Sequence, residues 1–419
     1  MASMRFSLIF GFSLYSCLFA AEAESNTSSY AALFSFGDSL ADTGNMLSLQ
    51  GQSSPIGRLP YGETFFHRPT GRFSDGRLVV DFFAQALGLP LLPAYLSTLD
   101  GGDDFSKGVN FAVGGATALD SSSQSVTNIS LNAQLQWFHQ LLPSICKPYS
   151  DCKEFMKKSM FLVGEIGGND CNFAFFQGKS TEEVKAFVPS IINTIMKAAS
   201  EFINEGVETL VIPGNLPIGC STAYLTMFQT QDKQEYDPDT GCLKRFNDFA
   251  IYYNSKLQDA IQVMRQKFPH ATTIYADYYN AALRFFKSPE AFGLAKETVH
   301  SACCGVGDRY NFNFNRMCGT SGVTACSDPA SYISWDGLHL TETAYKFITA
   351  SLLSGEFTDP PLRIGNLDVA LPPLTMPNPT SQGPEAMHVT VCVYVFLITS
   401  LFFCLNELNQ GFTFYLDIM

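Results

Sequence analysis

AALFSFGDSLADTGN, residues 31–45, is the stretch on which the fold turns. Ala31, Ala32, Leu33, Phe34 and Phe36, interrupted only by Ser35, form an apolar run too short for a helix and closed by Gly37-Asp38, so they read as a buried strand. Ser39 then stands just past the strand's C-terminal end. In an open parallel sheet ligands bind at that edge, and a hydroxyl there is a candidate nucleophile. Gly-Asp-Ser alone is better read as a polar turn closing a core strand. The choice rests on whether further polar turns follow in the same setting.

Three do. An amphipathic helix is expected over about Arg77–Leu87, then a short apolar run, Val109–Val113, ending in Gly114-Gly115. Ser130 is the expected cap of a helix carrying Leu131, Leu135, Phe138, Leu141 and Leu142. A third strand, Met160–Val163, leads into Gly164-Glu165-Ile166-Gly167-Gly168-Asn169-Asp170. Ser180 and Glu183 form a capping box for one long helix that stops near Gly206. A fourth strand follows at Val207–Ile212, a helix at about Leu243–Lys267 and a fifth strand at Thr272–Ala276. After a cysteine-rich excursion, Ser334-Trp335-Asp336-Gly337-Leu338-His339 opens a final helix through Thr341 to Leu353. Each helix is long enough to cross over a parallel sheet. The expected architecture is α/β: one three-layer, flavodoxin-like, doubly wound domain of about five parallel strands, with Ser39, Gly115, Asn169 and the Asp336/His339 pair at the strand C-termini.

The composition fits. A chain of 419 residues, 46% hydrophobic and 16% charged, can bury a large core. A net charge of -13 opposes binding to nucleic acid through a general basic field. Residues 1–23 have the form of a secretory signal, with Arg5, an apolar run from Phe6 to Ala20 and the small-residue cut site Ala21-Glu22-Ala23. Twelve cysteines leave nine in the body once Cys17, Cys392 and Cys404 are set aside. Cys146 with Cys152, and Cys303, Cys304, Cys318 and Cys326 in a Gly-rich loop, read as disulfide staples outside the cell, with at least one thiol free or paired elsewhere because nine is odd and with the connectivity not readable from sequence. A zinc site lacks the paired CxxC motifs it would need. Asn26 and Asn128 head glycan sequons. Residues 24–365 are taken as the catalytic domain, 366–388 as a Pro-rich linker and 389–419 as a hydrophobic tail to which the sequence assigns no role. The apolar part of that tail, 389–405, is the only route to membrane contact, and tethering is not the favoured reading.

Acyl transfer needs a nucleophile, a base, a group that orients the base and donors for the oxyanion. Ser39 supplies the first. Of six histidines, His388 lies in the tail, His139 inside an amphipathic helix, and His67, His270 and His300 in loops. His339 follows Asp336 by three residues, a spacing that lets the carboxylate hold one ring nitrogen while the other faces Ser39. The backbone N–H groups of Ser39 and Gly115 and the amide of Asn169 are the candidate oxyanion donors, with Gly114 and Gly115 not distinguished. No metal or organic cofactor is required. A two-metal phosphoesterase built on Asp38, Asn169, Asp170, Asp336 and His339 is a poorer match, since it offers one histidine.

The four turns, Phe36 to Asn45, Gly108 to Ala116, Gly167-Gly168-Asn169-Asp170 and Asp336-Gly337-Leu338-His339, resemble in order the GDSL esterase/lipase family of the SGNH hydrolases, in particular its secreted plant branch. The resemblance spans Phe34 to about Leu353. It implies Ser39 as nucleophile, Gly115 and Asn169 as oxyanion donors, Asp336 and His339 as orienting acid and base, and a small-molecule or lipid ester as substrate. A secreted serine carboxylesterase is therefore expected, with an acyltransferase using the same acyl-enzyme as the alternative and a non-catalytic binding protein as a weaker one. The loops Gln50–Gly76 and Leu216–Asp239 are expected to shape the pocket.

Overall fold

The computed structural model describes residues 30–98, 105–120, 127–145 and 152–364. The leader, the Asn26 sequon, Cys146, the Pro-rich segment and the hydrophobic tail lie outside them. β1 (Ala32–Phe36), β2 (Gly108–Asn110), β3 (Ser159–Val163), β4 (Thr209–Pro213) and β5 (Thr272–Ala276) run parallel in the order β2-β1-β3-β4-β5. This is the doubly wound order expected of a flavodoxin-like sheet. The cysteine-rich region forms a small antiparallel pair, β6 (Cys304–Gly305) and β7 (Thr324–Ala325). A sixth strand of the main sheet, β8 (Thr358–Asp359), lies antiparallel against β5 and was not anticipated; Arg265 fixes Asp359 at 2.8 Å.

Both sheet faces are covered, which is why the strands read as apolar runs rather than as alternation. Ala32, Phe34 and Phe36 of β1 join Phe161, Val163, Leu210 and Ile212 in a core with the helices Leu131–Ile145, Val188–Asn204 and Lys244–Lys267. Leu33 joins Met160, Leu162, Val211 and Ile274 in a second core with the helices Val79–Ala86, Tyr278–Lys287 and Glu342–Leu353. Phe36 anchors the first, its ring centroid 5.0 Å from Phe111, 6.1 Å from Phe161 and 4.5 Å from Phe202. Each such ring contributes about 1.5–3 kcal/mol by burial. β1 and β3 are thereby held rigid directly beneath the turns that follow them.

Local chemistry overrides several expectations. Ser180 and Glu183 do form the capping box, with the Glu183 N–H donating to Ser180 Oγ at 3.3 Å. The helix it starts, however, is only Thr181–Lys185, and a second helix, Val188–Asn204, follows. Pro189 has no N–H to give and its ring would strike the carbonyl four residues back, so one continuous helix cannot form. The run Val109–Val113 leaves the sheet after Asn110, whose Oδ1 accepts the Ala112 N–H at 2.9 Å and whose amide donates to Ala41 O. The fourth strand is shifted from Val207–Ile212 to Thr209–Pro213. The helix Tyr278–Lys287 was missed; Asp277 caps it, accepting the Asn280 N–H at 3.0 Å. Finally, the last helix begins at Glu342 with Thr341 as cap, so Asp336 and His339 occupy a turn before it rather than its first turn.

Candidate active site

β1 has β2 on one side and β3 on the other, so the connections leaving it and entering it diverge and open a crevice above their C-terminal ends. Ser39 follows β1, Gly115 follows β2 and Asn169 follows β3. Gln134, buried in the helix beneath, clamps the first turn: it accepts the Gly37 N–H at 2.9 Å and donates to Gly37 O at 2.7 Å. Asp42 ties that turn to the second by accepting N–H groups from Gly44, Asn45, Met46 and Gly114 at 2.7, 2.7, 2.9 and 2.8 Å. The Gly114 N–H is therefore committed to Asp42, and both glycines line the cavity, Gly115 with φ of 74°.

Ser39 Oγ lies 2.7 Å from His339 Nε2, and His339 Nδ1 lies 2.7 Å from Asp336 Oδ2. A buried carboxylate at Nδ1 takes the ring N–H, which leaves Nε2 to accept from the serine hydroxyl. Asp336 is 1% exposed. Its Oδ1 accepts the N–H groups of Leu338 and His339 at 3.0 and 2.8 Å, and its Oδ2 accepts the Tyr61 hydroxyl at 2.9 Å. Burial alone would raise its pKa, but the neighbouring His339 and these hydrogen bonds hold it below the usual carboxylate range. The Phe73 ring packs 4.7 Å from that of His339.

The cysteine-rich region buttresses this turn. Cys303 and Cys304 donate their N–H groups to Ser334 O and Trp335 O at 2.9 and 2.7 Å, while the disulfides Cys303–Cys326 and Cys304–Cys318 fix the strands that do so. Gly337 has φ of 96°, and a Cβ there would lie 2.1 Å from the Phe312 ring, so both backbone and space demand glycine. A third disulfide, Cys220–Cys242, ties the segment after β4 to the start of the helix Lys244–Lys267, Cys152 is also disulfide-bonded, and Cys171 is the thiol left free among the described residues.

Asn169 stands in the first turn of the helix Gly168–Phe176. Its amide donates to Ala116 O at 3.0 Å and to Asp38 Oδ2 at 3.1 Å. Asp170 accepts the N–H groups of Ala118 and Leu119 at 2.8 and 3.1 Å, and burial raises it to about 6. Asp38 and Glu165 are hydrogen-bonded to one another and buried, and burial first, then mutual repulsion for Asp38, raises both.

These groups open into a cavity of about 530 Å³ walled by Ile218, Phe176, Phe286, Phe314, Met317 and Leu338 among others. The loops Gln50–Gly76 and Leu216–Asp239 both contribute, as expected, and the cysteine-rich loop adds a wall that was not foreseen. Tyr61, Phe73, Gln134 and Glu165 are further site residues that sequence reading missed. Gln134 alone left a signal, a polar residue on the apolar stripe of Leu131, Leu135 and Phe138. Acidic spacing did not by itself single out His339, because Glu63 and Glu297 lie four and three residues before His67 and His300. Those histidines bond instead to Glu63 O and Thr240 O, at 2.9 and 2.8 Å. Asp38, Asn169, Asp170, Asp336 and His339 pair among themselves or with backbone, and among the described residues no group of three or more His, Cys, Asp and Glu could hold a metal ion.

The fold and the cavity are those of an α/β serine ester hydrolase. Residues 33–352 match the model of the GDSL-like lipase/acylhydrolase family, and the chain belongs to that family. It is 49% identical over 343 residues to the GDSL esterase/lipase At1g28590 of Arabidopsis thaliana, covering 80% of this chain and 84% of the relative. It is 47% identical over 371 residues to At1g28600 of the same plant and family, covering 86% and 93%. At5g45910, another of these Arabidopsis enzymes, is 49% identical over 346 residues, covering 80% and 93%.

Proposed function

We propose that this chain hydrolyses carboxylic esters in a secretory or extracellular setting through an acyl-enzyme on Ser39. The observation that carries the reading is the unbroken series Ser39 Oγ, His339 Nε2, His339 Nδ1 and Asp336 Oδ2, with both links at 2.7 Å. His339 takes the Ser39 proton as Oγ attacks the ester carbonyl. Asp336 stabilises the imidazolium that forms. The negative oxygen of the tetrahedral intermediate lies toward the N–H groups of Ser39 and Gly115 and the Asn169 amide. His339 then returns its proton to the departing alkoxide, and the C–O bond breaks to leave the acyl group on Ser39. Water, deprotonated by the same imidazole, repeats the attack and releases the acid.

The cavity's apolar and aromatic walls favour an ester with an apolar moiety that fills much of about 530 Å³. Disulfides among the described residues and the exposed sequon at Asn128 support passage through an oxidising compartment. Among the described residues no helix is long and apolar enough to cross a membrane. The test is covalent labelling with a fluorophosphonate together with turnover on a panel of acetyl, long-acyl and aromatic esters. Label on Ser39, lost in Ser39→Ala along with turnover, is the expected result. Label persisting on another serine in Ser39→Ala would remove the mechanism.

A further inference from the structure

Asn169 presents a difficulty for the oxyanion role just proposed. An amide has two N–H groups, and here one is engaged by Ala116 O and the other by Asp38 Oδ2. Both partners are acceptors, so the amide cannot be oriented the other way round. To donate to the substrate, one bond must loosen. Ala116 O is fixed in a turn pinned by Asp170, and the Asp38 carboxyl is the partner whose hold can vary. A carboxylate competes strongly for an N–H and repels a nearby oxyanion, whereas a carboxylic acid does neither.

Glu165 is placed to decide between the two forms. It lies 8% exposed at the cavity, hydrogen-bonded to Asp38, which is 3% exposed. Its carboxylate sits over Gly168, where a Cβ would come within 2.6 Å of Oε1, at the N-terminus of the helix Gly168–Phe176. That end of a helix favours an anion. The imidazolium formed on His339 during turnover also favours its ionised form, while the Leu40 N–H, 3.0 Å from Asp38 Oδ1, pulls more weakly the other way. Glu165 is thus the better site for the charge, and Asp38 for the proton.

We propose that Glu165 is a positioning residue for oxyanion stabilisation: its carboxylate accepts a hydrogen bond from the protonated Asp38 carboxyl, so the proton stays on Asp38, which remains neutral and leaves the Asn169 N–H able to turn to the substrate. This rests on Asn169 donating to the oxyanion. The other titratable groups facing the pair are Asp170, His339, the Cys171 thiol and the phenols of Tyr224, Tyr253, Tyr278 and Tyr345. Burial raises the thiol and the phenols, so they stay neutral where the enzyme is assayed, and Asp170, raised to about 6, is ionised above that pH.

Glu165→Gln removes the charge that holds the Asp38 proton, and Asp38 then ionises at lower pH. At pH 8 kcat should fall about 10- to 100-fold with KM within about twofold, approaching the loss of a whole oxyanion donor. The deficit should shrink toward pH 5.5 as Asp38 regains its proton. Asp38→Asn/Glu165→Gln, in which position 38 cannot ionise, should recover most of the pH 8 deficit. Asp38→Asn alone should lose less than Asn169→Ala, by a factor that does not change between pH 5.5 and pH 8, and, should Glu165→Gln fail to fold, that comparison decides the matter by itself. A Glu165→Gln deficit that does not vary with pH, a double variant no better than the single, or Asp38→Asn as impaired as Asn169→Ala would overturn the proposal. Fluorophosphonate labelling of Ser39 in the same preparations separates its failure from failure of the acyl-enzyme reading.

Discussion

Tyr61→Phe isolates one hydrogen bond at the heart of the site. The ring that remains keeps its contacts with Phe73 and Trp335, at centroid distances of 6.5 and 6.1 Å, so packing is preserved. What is lost is the hydroxyl that donates to Asp336 Oδ2 at 2.9 Å in a position only 2% exposed. Burial and then the Asp336 charge raise the phenol's pKa, so in the native protein it is always a donor. Four donors converge on Asp336, and each hydrogen bond to an ionised group contributes about 1.5–3 kcal/mol. Without the phenol, Oδ2 shares its charge with the imidazole N–H alone. Taking half of the smaller loss, roughly 0.7 kcal/mol, as a tighter hold on the imidazolium gives a shift of about half a pH unit. The sign is upward: a more firmly held proton leaves the base inactive to higher pH. The acid limb of kcat/KM should therefore move to higher pH by roughly 0.5 unit, costing about threefold in rate on that limb, with the plateau reduced less. Stopped-flow or plate assays of kcat/KM from pH 5 to 9, wild type beside variant, provide the measurement. A limb that stays in place, or moves to lower pH, would refute the idea that the phenol moderates the Asp336 charge.

Other perturbations give distinct outcomes. Asn169→Ala should cost about 3 kcal/mol of transition-state stabilisation, expressed in kcat rather than KM, as steady-state kinetics on any accepted ester would register. Gly108→Ala should destabilise the fold strongly or prevent it, because a Cβ at its φ of 109° would sit 1.7 Å from Leu33 O in the β1–β2 pairing; a melting temperature within a degree or two of wild type would contradict the register. Stability should also fall as pH rises. Asp38, Asp75, Glu165 and Asp170 are all raised, Asp170 to about 6, so between their unfolded values near pH 4 and their native ones the folded state binds more protons than the unfolded. Their contribution is fully present below pH 4 and is lost through pH 6 and above, so thermal melts should show a higher midpoint at pH 5 than at pH 8, and the reverse order would count against these shifts.

What was legible in the sequence is what local chemistry dictates. Thr272–Ala276 was read to the residue because five β-prone positions lie between a proline-containing turn and Asp277. Ser39 and Asn169 were legible because each follows a glycine-marked break after an apolar run, and Asp336 and His339 because their three-residue spacing lets a carboxylate reach a ring nitrogen. Contacts made across the chain were not. Tyr61 sits in a Gly/Pro-rich loop with nothing nearby to mark it, and only the tertiary fold brings its hydroxyl to a carboxylate 275 residues away. Glu165 looked like one polar residue in a turn, since its partner Asp38 lies on a different strand end. The break before Val188 was missed for a local reason: the apolar period continues through Pro189, and the period was followed where the proline should have been. The helix Tyr278–Lys287 was hidden by its own composition, with two tyrosines at its start that are equally at home in a strand.

Ser39 and His339 are 300 residues apart in the chain yet share a hydrogen bond. At roughly 5–20 residues per second of synthesis, the Ser39 hydroxyl is made about 15–60 s before the imidazole it bonds to. Throughout that interval the nascent polypeptide carries an ordinary alcohol. A single proteolytic cut that released the turn carrying Asp336 and His339 would return it to that condition, so on the proposed mechanism turnover certifies that these two distant turns have met.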